Sequence, residues 1–147
     1  MARIITIARG IGSGGRTVGK MLSEDMGIKY YDKELIKLAS DESGINERFF
    51  VLVDEKLKGS FLRYCGVYKG ELLDPDDHDF TSDRNLFNYQ AKIIKQLADR
   101  EPAVIVGRCA DYILRDRKDV LKVFIYSDME TAVKNIVDLY GVSEKEA

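Results

Sequence analysis

An α/β fold, a three-layer sandwich with a parallel sheet and helices on both faces, is predicted by three features of this chain. Apolar strand-like runs alternate with helix-periodic segments. The runs Ile4-Ile5-Thr6-Ile7-Ala8, Ala103-Val104-Ile105-Val106 and Val120 to Tyr126 are almost continuously apolar, the pattern of parallel strands, and 103–106 reads as buried. Between the first run and the first helix lies a glycine-rich loop, Gly10 to Thr17, reading G-I-G-S-G-G-R-T. Strands joined through helices make right-handed crossovers, and ligands in such sheets sit beyond the carboxyl ends of the strands.

Each element has its own local reason. Val18, Met21, Leu22 and Met26 follow i, i+3, i+4, i+8 and are expected to form the buried face of the first helix, which Gly27 closes as a C-cap. Ile28 to Tyr31 is a short second strand, and Asp32 is placed either to N-cap the next helix, through Leu35, Ile36, Leu38 and Ala39, or to serve a site at the strand end. From Gly44 to Asp83 the periodicity weakens, and Phe49, Phe50, Phe61, Tyr64, Tyr68 and Phe80 are scattered among charges. This segment is expected to be a helical or irregular insertion that covers a binding site. A helix resumes near Asp83, with Leu86, Tyr89, Ile93, Ile94 and Leu97 on one face, and stops at Glu101-Pro102. The buried strand 103–106 follows, ending in Gly107-Arg108, with a short helix around Asp111 to Leu114. After the fourth strand, Ser127-x-x-Glu130 reads as a capping box for a helix ending at Gly141. Ser143-x-x-Glu146 is another capping box one residue before the last, Ala147, so the sequence reads as cut short.

Composition excludes several classes. At 147 residues, 45% hydrophobic and 33% charged, the chain (1–147) is sized for one ordinary globular domain. A net charge of −2 gives no electrostatic footprint for nucleic acid. No charged-then-apolar leader and no apolar run approaching 18 residues is present, which points to a cytoplasmic protein without a membrane partner. Cys65 and Cys109 are too few and too far apart for a C-x-x-C motif and are expected to be free thiols. The one histidine, His78, lies in Asp74-Pro75-Asp76-Asp77-His78-Asp79, a proline-containing acidic stretch that reads as a solvated loop rather than a metal site.

The glycine loop carries the chemistry. Closely spaced glycines let backbone N–H groups turn onto an anion while the following helix adds its positive dipole end, the logic of G-x-x-x-x-G-K-[ST]. Gly10, Gly12, Ser13, Gly14, Gly15, Arg16 and Thr17 are therefore the expected nucleotide-phosphate ligands, with Arg16 where the pattern wants lysine and Thr17 as the Mg²⁺ ligand. A competing frame, Gly14 to Gly19-Lys20, puts its lysine a full turn into the helix and is rejected. The loop, Asp32 and Gly107-Arg108 should meet at one rim of the sheet, where the Arg108 guanidinium is a fork suited to phosphate.

Gly10 to Asp32, together with Val104-Ile105-Val106-Gly107-Arg108-Cys109-Ala110-Asp111-Tyr112-Ile113-Leu114, resembles the cytidylate-kinase-like family, relatives of the nucleoside monophosphate kinases, over essentially the whole chain. The resemblance implies a P-loop kinase fold, ATP and Mg²⁺ as cofactors, and transfer of the γ-phosphate to a nucleoside monophosphate or related small acceptor. Carried over by position, Gly107-Arg108 match the G-R of an acceptor-contacting G-R-D segment, Asp32 matches an aspartate of the monophosphate site, and Asp111 is a further acceptor candidate. Arg16 and Arg108 would be the catalytic cations. Counted back from Asp32, however, the family lysine falls on Gly15, so Arg16 is either a shifted stand-in or a different contact. Cys109 stands at the aspartate of G-R-D, and Lys33-Glu34 replaces a small pair, departures that bear on the base rather than on the phosphates. The resemblance also implies that the lid arginines and last strand lie beyond residue 147. A non-catalytic nucleotide-binding or regulatory protein is the main alternative; a GTPase-like switch fits less well, since no N-K-x-D segment occurs. Neither the acceptor nor the oligomeric state follows from the sequence.

Overall fold

The structure, a computed structural model, describes residues 3–53 and 71–147. Four strands, β1 (Ile4–Arg9), β2 (Lys29–Tyr31), β3 (Ala103–Val106) and β4 (Val120–Ile125), form one sheet in the order β2-β3-β1-β4. Every pairing is parallel, with Ile7 opposite both Val106 and Val123, and Tyr31 opposite Ile105. The strand after the third crossover thus returns beside the first, and the carboxyl ends of β1, β2 and β3 share one rim, as the sequence leads one to expect. The helices are α1 (Gly15–Met26), α2 (Glu34–Ser43), α3 (helical over 47–53), α4 (Asp83–Arg100), α5 (Ala110–Ile113) and α6 (Met129–Tyr140).

The period-2 alternation of the strands divides the core between two faces. Ile4, Ala103 and Ile105 join Leu35, Phe50, Leu86, Ile94 and Leu114 under α2, α3, α4 and α5. Ile5, Ile7, Val104 and Val106 form a smaller core that Leu22, Ile28 and Tyr30 cover from the α1 side. Helices therefore lie on both faces. Each fully buried aliphatic side chain contributes about 1.5–3 kcal/mol relative to exposure, so the β3 run alone is a large share of what holds the sheet between its layers.

The face α1 buries differs from the one its hydrophobic spacing predicts. Val18, Met21 and Met26 are exposed, and the buried stripe is Gly15, Gly19 and Ser23. The reason is proximity: a Cβ on Gly19 would lie 2.9 Å from Val106 Cγ2 and 3.1 Å from Ile7 Cδ1, so only a small-residue stripe lets the helix sit this close to the sheet. Gly27 closes α1 in the left-handed conformation, as expected. At α6 the N-cap is Asp128 rather than Ser127: its carboxylate accepts from both Thr131 N (2.9 Å) and Thr131 Oγ1 (2.8 Å), a stronger acceptor one residue later. At Ser143-x-x-Glu146 only half of the expected box is present: Ser143 N donates to Glu146 Oε2, but Ser143 Oγ donates to the same carboxylate instead of accepting from Glu146 N, and 144–146 is a turn.

Of the expected insertion 44–83, residues 54–70, with Phe61, Tyr64, Cys65 and Tyr68, lie outside the described residues. Its described end, 71–82, is a run of turns held to α4 by two buried asparagines: Asn85 accepts from Leu73 N and donates to Phe80 O, and Asn88 donates to Glu71 O. Cys109 is buried. No group of metal-ligating side chains and no helix long and apolar enough to cross a membrane is found among the described residues.

Candidate functional site

The chain leaves β1 at Arg9, turns through Gly10 to Gly14 and enters α1. Gly10 N donates to Ile125 O (3.0 Å) and Ser13 N to Gly10 O (3.3 Å), while Gly12 and Gly14 take the positive φ values of 70° and 79° that glycine alone adopts without strain. Gly12 is also fixed from above. Its carbonyl accepts from Asn135 Nδ2 at 2.7 Å, and a Cβ there would lie 2.4 Å from the Ala132 carbonyl oxygen, so α6 clamps the loop through a glycine. Gly14 caps α1 without a side-chain hydrogen bond, no acidic residue stands in the first turn, and the space about Gly14 is open. The first-turn N–H groups of α1 and the positive end of its dipole therefore face an open approach. Since α1 begins at Gly15, Lys20 is indeed inside the helix.

Around this loop the fold gathers charge. Arg16, in the first turn of α1, pairs through Nε with Asp32 Oδ2 at 2.8 Å. Arg108 Nε donates to the backbone carbonyl of the same Asp32 (3.0 Å), and its Nη1 to Gln90 Oε1 of α4 (3.2 Å). So the loop arginine, the strand-two aspartate and the strand-three arginine, far apart in sequence, meet at one residue. Asp32 does not cap α2: the N-cap is Lys33, without a side-chain bond, and the buried Asp32 carboxylate is turned to Arg16 instead. A charge-assisted bond to a guanidinium outcompetes a neutral N–H for that oxygen. Glu34 accepts from Asp32 N, which secures the turn.

Arg108 is aimed by backbone strain. Gly107, Arg108 and Cys109 have φ of 72°, 53° and 57°, three left-handed residues in succession, of which only the first is glycine. The two others cost of order 1–3 kcal/mol each and persist because β3 and the first turn of α5, where Ile113 N bonds Cys109 O at 2.8 Å, hold them. The result turns Cys109 into the core and Arg108 toward Asp32. Asp111 sits in the first turn of α5 and is not among the groups bonded to Arg16 or Arg108. Thr17 is exposed on the first turn of α1 beside Arg16.

A third arginine joins the rim that pattern reading of the sequence passes over. Arg9, the last residue of β1, runs its stem under Gly15 and ends against Gly107: a Cβ on Gly15 would be 2.6 Å from Arg9 Cβ, and one on Gly107 would be 2.6 Å from Arg9 Nη1. Burial, then the charge of Arg16, pushes the Arg9 pKa below its ordinary value, and Asp32 pulls it back. The signal was present in the sequence as a cation ending an otherwise apolar strand directly before the glycines. Burial together with Asp32 raises the nearby Tyr30 hydroxyl.

The family model for the cytidylate kinase-like family matches residues 4–147. This chain belongs to that family. A crystal structure of an uncharacterized protein from Eubacterium ventriosum ATCC 27560 is similar to it, with 30% sequence identity and a TM-score of 0.61 over 97% of this chain. The chain spans 65% of the length of that protein. No curated protein matches it.

Proposed function

We propose that this family member is an ATP-dependent phosphotransferase that moves the γ-phosphate to a nucleoside monophosphate or a related small phosphorylated acceptor. The observation that carries the reading is the charge at the rim: Arg9, Arg16 and Arg108 gather around Asp32, whose carboxylate pairs with Arg16 and whose backbone carbonyl accepts from Arg108, beside a helix N-terminus with no side-chain cap. Such an imbalance is stabilised by a polyanion, and phosphoryl transfer is catalysed mainly by positioning and cationic charge.

In this mechanism the N–H groups between Gly10 and Thr17, other than those of Gly10 and Ser13, which bond Ile125 O and Gly10 O, hold the β- and γ-phosphates against the α1 dipole, and the left-handed Gly12 and Gly14 keep that backbone turned inward. Arg108, held at a fixed angle by Asp32 O and Gln90, receives the acceptor phosphate. Arg16, tethered through Nε, presents its terminal nitrogens between the two ligands, with Asp32 setting its direction and Asp111 an outer contact to the acceptor. The Thr17 hydroxyl would help hold Mg²⁺, which is commonly bound through one or two protein ligands beside phosphate, and the ion would supply positive charge against the phosphates. Cys109 turned into the core, where the family segment has aspartate, favours an acceptor other than cytidylate. Glycine at the lysine position favours a second reading, a nucleotide-binding regulator without turnover.

Turnover of ATP with a panel of nucleoside monophosphates separates the two, using the full-length protein. Gly14→Val tests the loop itself: it adds a β-branched side chain in the open approach at φ 79°, and should abolish ATP binding at a stability cost of about 1–2 kcal/mol. Unchanged ATP affinity in the folded variant would remove the loop from the proposal.

A further inference from the structure

We infer that Arg9 supplies, from the end of β1, the positive charge that a lysine on the loop would otherwise bring to the bound phosphates; the inference rests on the loop being a phosphate site. Three observations meet here. The residue at which the family pattern places lysine is Gly15, and the space into which its side chain would leave the backbone is already filled, since a Cβ there would lie 2.6 Å from Arg9 Cβ and 2.9 Å from Arg9 Cδ. The exchange is therefore spatial: a side chain rooted one strand-end earlier occupies the volume of one rooted at the helix start. The guanidinium end is accommodated in the same way, because Gly107, at 2.6 Å from Nη1, is the other position where a side chain would displace it.

Arg9 is also a half-buried guanidinium for which no hydrogen bond or ion pair is found among the described residues. Its donors find no protein acceptor among the described residues, and the like charges of Arg16 and Arg108 crowd it while Asp32 and Tyr30 offset them only in part, an environment that a phosphate would relieve further. Its lowered pKa, from burial first and from Arg16 next, describes the same frustration. Arg16 is less suited to the task, because its Nε is committed to Asp32 and its side chain lies on the exposed side of α1. A purely structural Arg9 would be expected to find a carbonyl or carboxylate; this one fills space with its stem and leaves its charge at the mouth between β1 and β3.

The test uses binding rather than activity. Affinity for ATP and for inorganic tripolyphosphate is measured by calorimetry for the wild type, for Arg9→Met, which keeps the stem and removes the charge, for Arg9→Lys, and for the exchange Arg9→Gly with Gly15→Lys, with thermal unfolding recorded for each. Arg9→Met should weaken both ligands roughly 10- to 100-fold, the range for losing charge-assisted hydrogen bonds, Arg9→Lys should lose less, and the exchange should recover most of the loss by returning the cation to the loop. Wild-type affinity in Arg9→Met overturns the inference and leaves the loop as a phosphate site. A folded exchange variant as weak as Arg9→Met overturns the spatial equivalence, and should the exchange fail to fold, an Arg9→Lys as weak as Arg9→Met does the same. Absence of ATP and tripolyphosphate binding in the wild type overturns the phosphate site itself.

Discussion

Two arginine clusters stand at opposite ends of the same sheet and are built on opposite principles. At the amino-terminal end, Arg117 Nε and Nη2 bind both oxygens of Asp119 at 3.0 and 2.9 Å, Nη1 pairs with Asp99, and Nη2 also reaches Ala98 O at 3.2 Å. Hydrogen bonds to Asp119 and then Asp99 raise the Arg117 pKa above its ordinary value, and the same bond holds the Asp119 carboxyl below the usual carboxylate range. One guanidinium meets two carboxylates, and the arrangement ties the end of α4 to the start of β4. At the carboxyl-terminal end three guanidiniums gather around Asp32, of which Arg16 pairs with its carboxylate and Arg108 with its backbone carbonyl, and burial with like charge lowers the Arg9 pKa. A saturated cluster is complete as a strut, whereas an unsaturated one keeps the kind of perturbed charge that concentrates where ligands bind.

The comparison breaks most visibly at Arg108. Arg108→Ala should lower kcat/KM for the acceptor roughly 100-fold, about 2.7 kcal/mol of transition-state stabilisation, while ATP affinity stays within about two-fold of wild type. Loss confined to the acceptor's KM would mean that the contact is equal in ground and transition states. Normal phosphoryl transfer by this variant would return Arg108 to the structural class. Arg16→Ala is expected to cost roughly 10- to 100-fold in kcat/KM, with Arg16→Lys retaining more, because lysine keeps the charge and loses the fork.

The saturated end should behave in the reverse way. Arg117→Met is expected to lower the melting temperature by roughly 2–6 °C, since partly exposed ion pairs contribute little, and to leave ATP and acceptor kinetics unchanged. A kinetic defect there would erase the distinction between the two ends. Smallest is the alkaline effect of Tyr31, whose hydroxyl donates to Glu101 Oε1 at 2.6 Å and whose pKa burial and that bond push up to about 12 from 10.0. A raised folded-state value favours the protonated form, so the contribution is fully present below the ordinary value and fades as pH rises through about 12. Denaturant midpoints at pH 9 and pH 11.5 should therefore fall less in Tyr31→Phe than in the wild type; an identical fall would assign the alkaline loss elsewhere.

The strands, the glycine loop, α4 and the caps at Gly27 and Gly141 are legible in the sequence because each depends on neighbours within a few residues: continuous apolar runs, glycines that permit positive φ, a proline that stops a helix. The buried face of α1 was not legible. Its apolar residues are at helical spacing, yet closeness to Val106 and Ile7 makes glycine and serine the inward residues. Asp32 shows the same limit, since as a local motif it is a helix cap and only the arrival of Arg16 and Arg108 turns it into the hub of the site.

By itself, then, the sequence determined the order of strands and helices, the phosphate-loop pattern and the rim where Arg108 emerges, all of which follow from dihedral preference and hydrophobic period. Tertiary structure alone decided which charges meet: that Arg16 turns to Asp32, that Arg108 bridges Asp32 and Gln90, and that Arg9 takes the space Gly15 leaves empty. A guanidinium reaches several ångströms from its backbone and is steered by burial and by the other charges it finds, so its destination is set by packing between segments as much as a hundred residues apart.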